Sequence, residues 1–204
     1  MTRHRPRRPA TVATLAVAAA TLVAGALLSG CAADQPAAAG ATSTPTPWTV
    51  VTEPQIRPGD AVPAPTGPVV LTITGGTVTN VGDELQLDLA TLDRMGTVRY
   101  AVFDRQAEGR RVMFSGPLLR TVLAVAGAQG TTLHTVALND YAVDIPVKDT
   151  KHFPVLLATR ADGSRMTVEH YGPTRVVYPT KGFQLDKTVY DPRWIWQLAT
   201  IHVR

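Results

Sequence analysis

The side chains that most often carry covalent chemistry, thiol, hydroxyl and imidazole, are scarce in this sequence. Its only cysteine is Cys31. A single thiol excludes disulfides within the chain, cysteine-based zinc sites and CxxCH haem attachment. It also lies far from the rest of the chemistry, so thiol catalysis is not expected. From Val69 onward the only serines are Ser115 and Ser164, and neither sits in a Gly-x-Ser-x-Gly elbow. His134, His152, His170 and His202 have no spacing that would bring two imidazoles onto one metal. No glycine-rich phosphate loop is present.

Cys31 has a different chemistry available. Met1–Arg8 carries Arg3, Arg5, Arg7 and Arg8, and Ala10–Leu28 is an unbroken run of Ala, Val, Leu, Thr and Gly ending in Leu28-Ser29-Gly30-Cys31. A basic start, an apolar run and small residues at its end read as a secretory signal. The cysteine directly after Leu-Ser-Gly resembles a bacterial lipobox. That resemblance implies a signal peptide over residues 1–30, lipid on Cys31, and attachment to the extracytoplasmic face of the cell membrane. An uncleaved membrane span is the alternative reading of the same run. Those four arginines also carry the net charge of +4; without them, 16 basic residues face 16 acidic ones. The high pI of about 9.5 therefore belongs to the signal and gives no reason to expect a nucleic-acid partner.

Eight of the sixteen prolines fall between Ala32 and Pro68, among Ala, Thr and Ser. Such a composition buries little and stays extended, so residues 31–68 are expected to be a tether. The folded domain is expected over 69–204. Strands are predicted over Val69–Thr74, Val98–Phe103, Arg111–Phe114, Val155–Thr159, Met166–Val168, Thr174–Tyr178 and Ile195–Val203. Thr132–Leu138 and Tyr141–Ile145 form a hairpin about Asn139-Asp140. Asp88 caps a short helix running to Met95, Pro117–Ala126 is an apolar-faced helix stopped by Gly127, and Val147–His152 is a third. Many short strands with a few short helices make an α+β, β-rich domain and not a doubly wound sheet.

Three blocks recur in one order: Phe114-Ser115-Gly116-Pro117-Leu118-Leu119, then His170-Tyr171-Gly172-Pro173-Thr174-Arg175-Val176-Val177-Tyr178-Pro179, then Trp196-Gln197-Leu198-Ala199-Thr200-Ile201-His202-Val203. Together they resemble the molybdopterin-binding oxidoreductase domain of the sulfite oxidase family, over Val69–Arg204. The resemblance implies a mixed, β-rich fold with a polar cleft for a pterin. It carries two cofactor-binding positions over to this chain, His170 and Arg175. Guanidinium offers a planar fork to phosphate and imidazole can donate beside it. Pairing of Arg175 with a carboxylate is the alternative. Asn139, Asp140 and Tyr141 are candidates to project a polar loop toward the same cleft.

One departure from the family changes the expected chemistry. Catalytic members of the family hold molybdenum through a cysteine in the region matching Val98–Gly116, and this chain has none there. Phe103 and Asp104 cannot replace a soft thiolate. A conventional molybdenum centre is therefore not expected, molybdopterin enters only through the resemblance, and the ligand expected is a small anion. A redox domain with an atypical centre and a structural domain are the other readings.

Overall fold

The computed structural model describes residues 47–204. The stretch expected to be a signal peptide and Cys31 lie outside the described residues.

Alternation of apolar and polar side chains builds the first sheet. Its strands are β1 (Thr49–Thr52), β4 (Thr97–Phe103), β5 (Arg111–Gly116), β9 (Arg160–Ala161) and β10 (Ser164–Arg165), adjacent in that order. β4 and β5 are an antiparallel pair in register from Val98↔Gly116 to Phe103↔Arg111. Val98, Tyr100, Val102, Val112 and Phe114 point into a core shared with Leu156, Met166 and Val177. The opposite face carries Arg99, Ala101, Phe103, Arg111 and Met113, because side chains alternate strictly along a strand.

A second five-stranded sheet contains β2 (Leu71–Thr74), β3 (Leu85–Leu87), β6 (Thr132–Ala137), β7 (Ala142–Pro146) and β12 (Leu198–Val203). The order is β3-β2-β12-β6-β7, with β12 parallel to β2 and antiparallel to β6. β8 (Leu156–Ala158) and β11 (Arg175–Val177) form a separate antiparallel pair. The larger core fills with Leu71, Ile73, Leu133, Ile145 and Ile201 from these strands. Mixed sheets with short helices give the α+β architecture expected.

The helices are α1 (Leu89–Arg94), α2 (Leu119–Val125), α3 (Val147–His152) and α4 (Lys187–Tyr190). Asp88 caps α1 as predicted, accepting from Thr91 N at 2.7 Å, and also accepts from the amides of Thr66 and Gly67 at 3.0 Å each. Helix α2 starts two residues later than its sequence suggests and has no side-chain cap. Its first amide, Leu119 N, donates to Val155 O at 2.8 Å, and Pro117 O accepts from Leu157 N at 2.9 Å. The chain leading into α2 is thus satisfied by the backbone around β8, and Ser115 remains in strand β5.

Two expectations change. Part of the proline-rich stretch is folded: β1 pairs with β4, and Ile56 and Val62 lie in the larger core at 2% and 7% exposure. Trp48 packs against the smaller core with the Arg120 guanidinium over its ring. Prolines between these residues obscured the few apolar side chains that dock. Nor is Met166–Val168 a strand. The pairing ends at Arg165, and residues 168–170 form a 3-10 turn.

Candidate functional site

A cleft of about 1340 Å³ opens between the end of β4, the β6–β7 turn, the start of β11 and residues 180–196. At its wall lies a buried ion pair. Asp104 follows β4 and Arg175 begins β11; their side chains are only 5% and 3% exposed. Arg175 Nη1 donates to Asp104 Oδ2 at 2.8 Å and Nη2 donates to Oδ1 at 2.7 Å. Phe114 lies 5.2 Å from the guanidinium carbon, and Tyr171 and Trp194 each lie 5.9 Å away. Both charges are thus desolvated and satisfied by a two-pronged contact, the geometry in which a buried pair stands. Arg175 Nε has no partner among the described residues.

The backbone reinforces this arrangement. Asp104 N donates to Arg110 O at 3.0 Å and Gly109 N donates to Asp104 O at 2.8 Å, closing the β4–β5 loop. Asp104 Oδ1 also accepts from Gln106 N at 3.3 Å. The loop is therefore fixed to β11 through one carboxylate, and Phe103 and Arg105 on either side of it face the cleft.

Aromatic rings make the rest of the wall. Phe103, Tyr141, Phe183, Tyr190, Trp194 and Trp196 all border the cleft. Tyr141 Oη donates to Pro192 O at 3.0 Å, joining the β6–β7 turn to the 191–193 segment. Arg193 Nη1 reaches the buried Asp149 at 2.7 Å, and Tyr178 Oη donates to the same carboxylate at 2.9 Å. Burial, reinforced by the Asp149 charge, pushes the Tyr178 hydroxyl far above its ordinary range, so it stays a donor. Arg105 pairs with Asp191 across the cleft margin. Lys187 has no carboxylate within ion-pair distance among the described residues and also lines the cleft.

The sequence-predicted residues separate under this geometry. Arg175, Asn139 and Tyr141 border the same cleft. The Arg175 fork, however, is committed to Asp104, which is the carboxylate alternative raised from the sequence. His170 ends the 168–170 turn, is exposed and does not line the cleft; its neighbour Tyr171 reaches Arg175 instead. Asp140 takes the left-handed turn conformation, φ 63°, and faces solvent rather than the cleft. Cys31 lies outside the described residues. Sequence reasoning missed Asp104 as a partner and the aromatic residues of 183–196 as a cleft wall. Their clustering in so short a span was the available signal.

With the geometry in place, the comparisons decide the family. The model described as oxidoreductase molybdopterin binding domain matches residues 70–191. The chain belongs to this family. No curated protein matches it. Among solved structures, the sulfane dehydrogenase SoxCD from Paracoccus pantotrophus is similar at 20% identity and a TM-score of 0.49, over 65% of this chain and 37% of that one. The chain thus spans little more than a third of that protein's length.

The family description names molybdopterin, so the donors present must be weighed against a metal-bearing group. Among the described residues no cysteine occurs, and no three His, Cys, Asp or Glu side chains are grouped to hold a metal. Asp104, the buried carboxylate at the cleft, spends both oxygens on Arg175. These residues do not fit the cysteine-ligated molybdenum that the family resemblance implies.

Proposed function

We propose that this protein is an extracytoplasmic lipoprotein, held to the membrane at Cys31, whose domain binds a small ligand without redox chemistry. The observation that carries the reading is the Asp104–Arg175 pair: the cleft's buried carboxylate and buried cation neutralise one another, and no thiolate stands beside them. A metal's electron chemistry is supplied by the metal and its ligands, and a cleft alone cannot replace them. Aromatic walls suit a flat molecule, and Lys187 beside Asp186 offers it one polar pair of contacts, the lysine to a negative group. The lipid anchor rests on the Leu28-Ser29-Gly30-Cys31 sequence.

The family match supports a second reading, a molybdopterin-dependent oxidoreductase with an atypical centre. Elemental analysis of natively exported protein, with pterin fluorescence after acid oxidation, separates the two. The binding module predicts no stoichiometric molybdenum. Pterin without metal would name its ligand. Molybdenum and pterin together in stoichiometric amounts would overturn the proposal. Mass spectrometry of the mature N-terminus tests the anchor, and an unmodified, soluble product would remove it.

A further inference from the structure

The outward face of the first sheet has a composition that the cleft does not explain. Arg99 and Arg111 project from β4 and β5 on the side away from the core, and Lys181 stands beside them around a small depression. All three are exposed, and among the described residues none has a carboxylate within ion-pair distance. The other cations of this sheet are used differently: Arg160 and Arg165 both reach Asp93, and Arg110 reaches Asp162. Between the free cations lie large apolar side chains that a solvated sheet face does not need. Phe103 is 67% exposed and Met113 39%. Thr49 of edge strand β1 pairs with Arg99 and extends this face.

Position in the chain gives this face a partner. Pro47 and Thr49 line the same depression as Arg99, Arg111 and Lys181. The chain therefore enters the domain at this face, and Cys31 lies 16 residues before Pro47. Fully extended, that stretch spans at most about 55 Å, and a coiled one far less. A lipid at Cys31 thus holds this side of the domain within reach of the bilayer. Basic side chains near an anionic surface are attracted within a Debye length, about 8 Å at physiological ionic strength, and apolar side chains among them can enter the headgroup layer.

We propose that the β1–β4–β5 face docks on anionic phospholipid headgroups, with Arg99, Arg111 and Lys181 at phosphate level and Phe103 and Met113 directed into the interface. This rests on the lipid anchor of the preceding section. It also orients the cleft: Phe103 lines both the docking face and the cleft, and Thr180 lines both the depression and the cleft. The cleft mouth would then open at the headgroup layer, where membrane-associated anions reach it without crossing bulk water.

The test exploits the single cysteine. In lipidated protein the sulfur of Cys31 is blocked, so Met113→Cys provides the only free thiol for an environment-sensitive fluorophore; Lys151→Cys, exposed on α3, is the control. Purified anchored protein is reconstituted into phosphatidylcholine vesicles with and without phosphatidylglycerol. The expected result is a blue shift and quenching by brominated lipid at position 113, in the anionic vesicles only, reversed by high salt and absent at position 151. Combined Arg99→Gln, Arg111→Gln and Lys181→Gln should lower the docked fraction about tenfold or more while leaving the thermal transition unchanged. Equal signals at both positions, indifference to phosphatidylglycerol, or an unaffected triple variant would overturn the docking. Labelling of a second thiol would show that the anchor reading had failed. In that event co-sedimentation of the lipid-free chain with the same vesicles decides the face independently: salt-sensitive binding lost in the triple variant supports it, and no binding rejects it.

Discussion

Asp104→Ala offers the sharpest perturbation of the candidate site. It strands the Arg175 guanidinium, 3% exposed at the side chain, against Phe114, Tyr171 and Trp194 with no counter-charge. Breaking a pair this buried costs about 3–5 kcal/mol, with no solvent screening to soften it. For a domain of this size each kcal/mol lowers the melting temperature by roughly 2–4 °C, so a fall of about 10 °C is expected. Arg175→Met should cost a comparable amount by leaving the carboxylate alone. Asp104→Ala combined with Arg175→Met should cost less than either single change, because no charge is left behind. Urea unfolding followed by tryptophan fluorescence is a suitable assay, since Trp194 lies against the guanidinium. The refuting result is additivity: two single variants each costing under about 1 kcal/mol, and a double variant equal to their sum. Such an outcome would mean that the pair is hydrated and Arg175 is free to meet a ligand.

Two further predictions concern the scaffold. Burial raises the Asp88 pKa, but hydrogen bonds from Thr91, Gly67 and Thr66 outweigh it and bring the value down from 3.8 to about 2. Because the folded pKa is depressed, this stabilisation is fully present above about pH 4 and is lost as pH falls through about 2, a change of about 2 kcal/mol that Asp88→Ala should abolish from the pH dependence of the urea midpoint. Gly116→Ala would place a Cβ 2.1 Å from Leu157 O, a backbone atom held between two strands. It should destabilise by about 2 kcal/mol or more in the same unfolding assay, and a neutral result would show that β5 and β8 are less closely packed than described.

Much of the scaffold was legible because it is written in neighbouring residues. The Asp88 cap, the β4–β5 hairpin and α3 each depend on patterns within about twenty positions. The edge strand β1 was hidden because its two valines sit among prolines and threonines, and the partner that selects them lies about fifty residues away in β4. The site was less legible for the same reason. Asp104 and Arg175 are 71 positions apart, and nothing local to either specifies the other. The Gly-Pro block did locate Arg175 at the cleft wall, but the function of its fork was decided by Asp104. His170 was carried over from the family resemblance together with Arg175, but the turn that ends there leaves it exposed and away from the cleft.

Strand β12 carries a consequence for the order of assembly. It is the last in chain order of the twelve strands among the described residues, yet it occupies the middle of the second sheet, between β2 and β6. Its residues Thr200–His202 pair with Thr72–Thr74 on one side and with Val136–His134 on the other. Until it arrives, two hairpins, β2–β3 and β6–β7, have no shared partner and leave open edges. Contacts this distant in sequence are slow to form, because the loop must close before any pairing compensates for it. The sheet is therefore completed by insertion of β12, which joins the two hairpins into one surface.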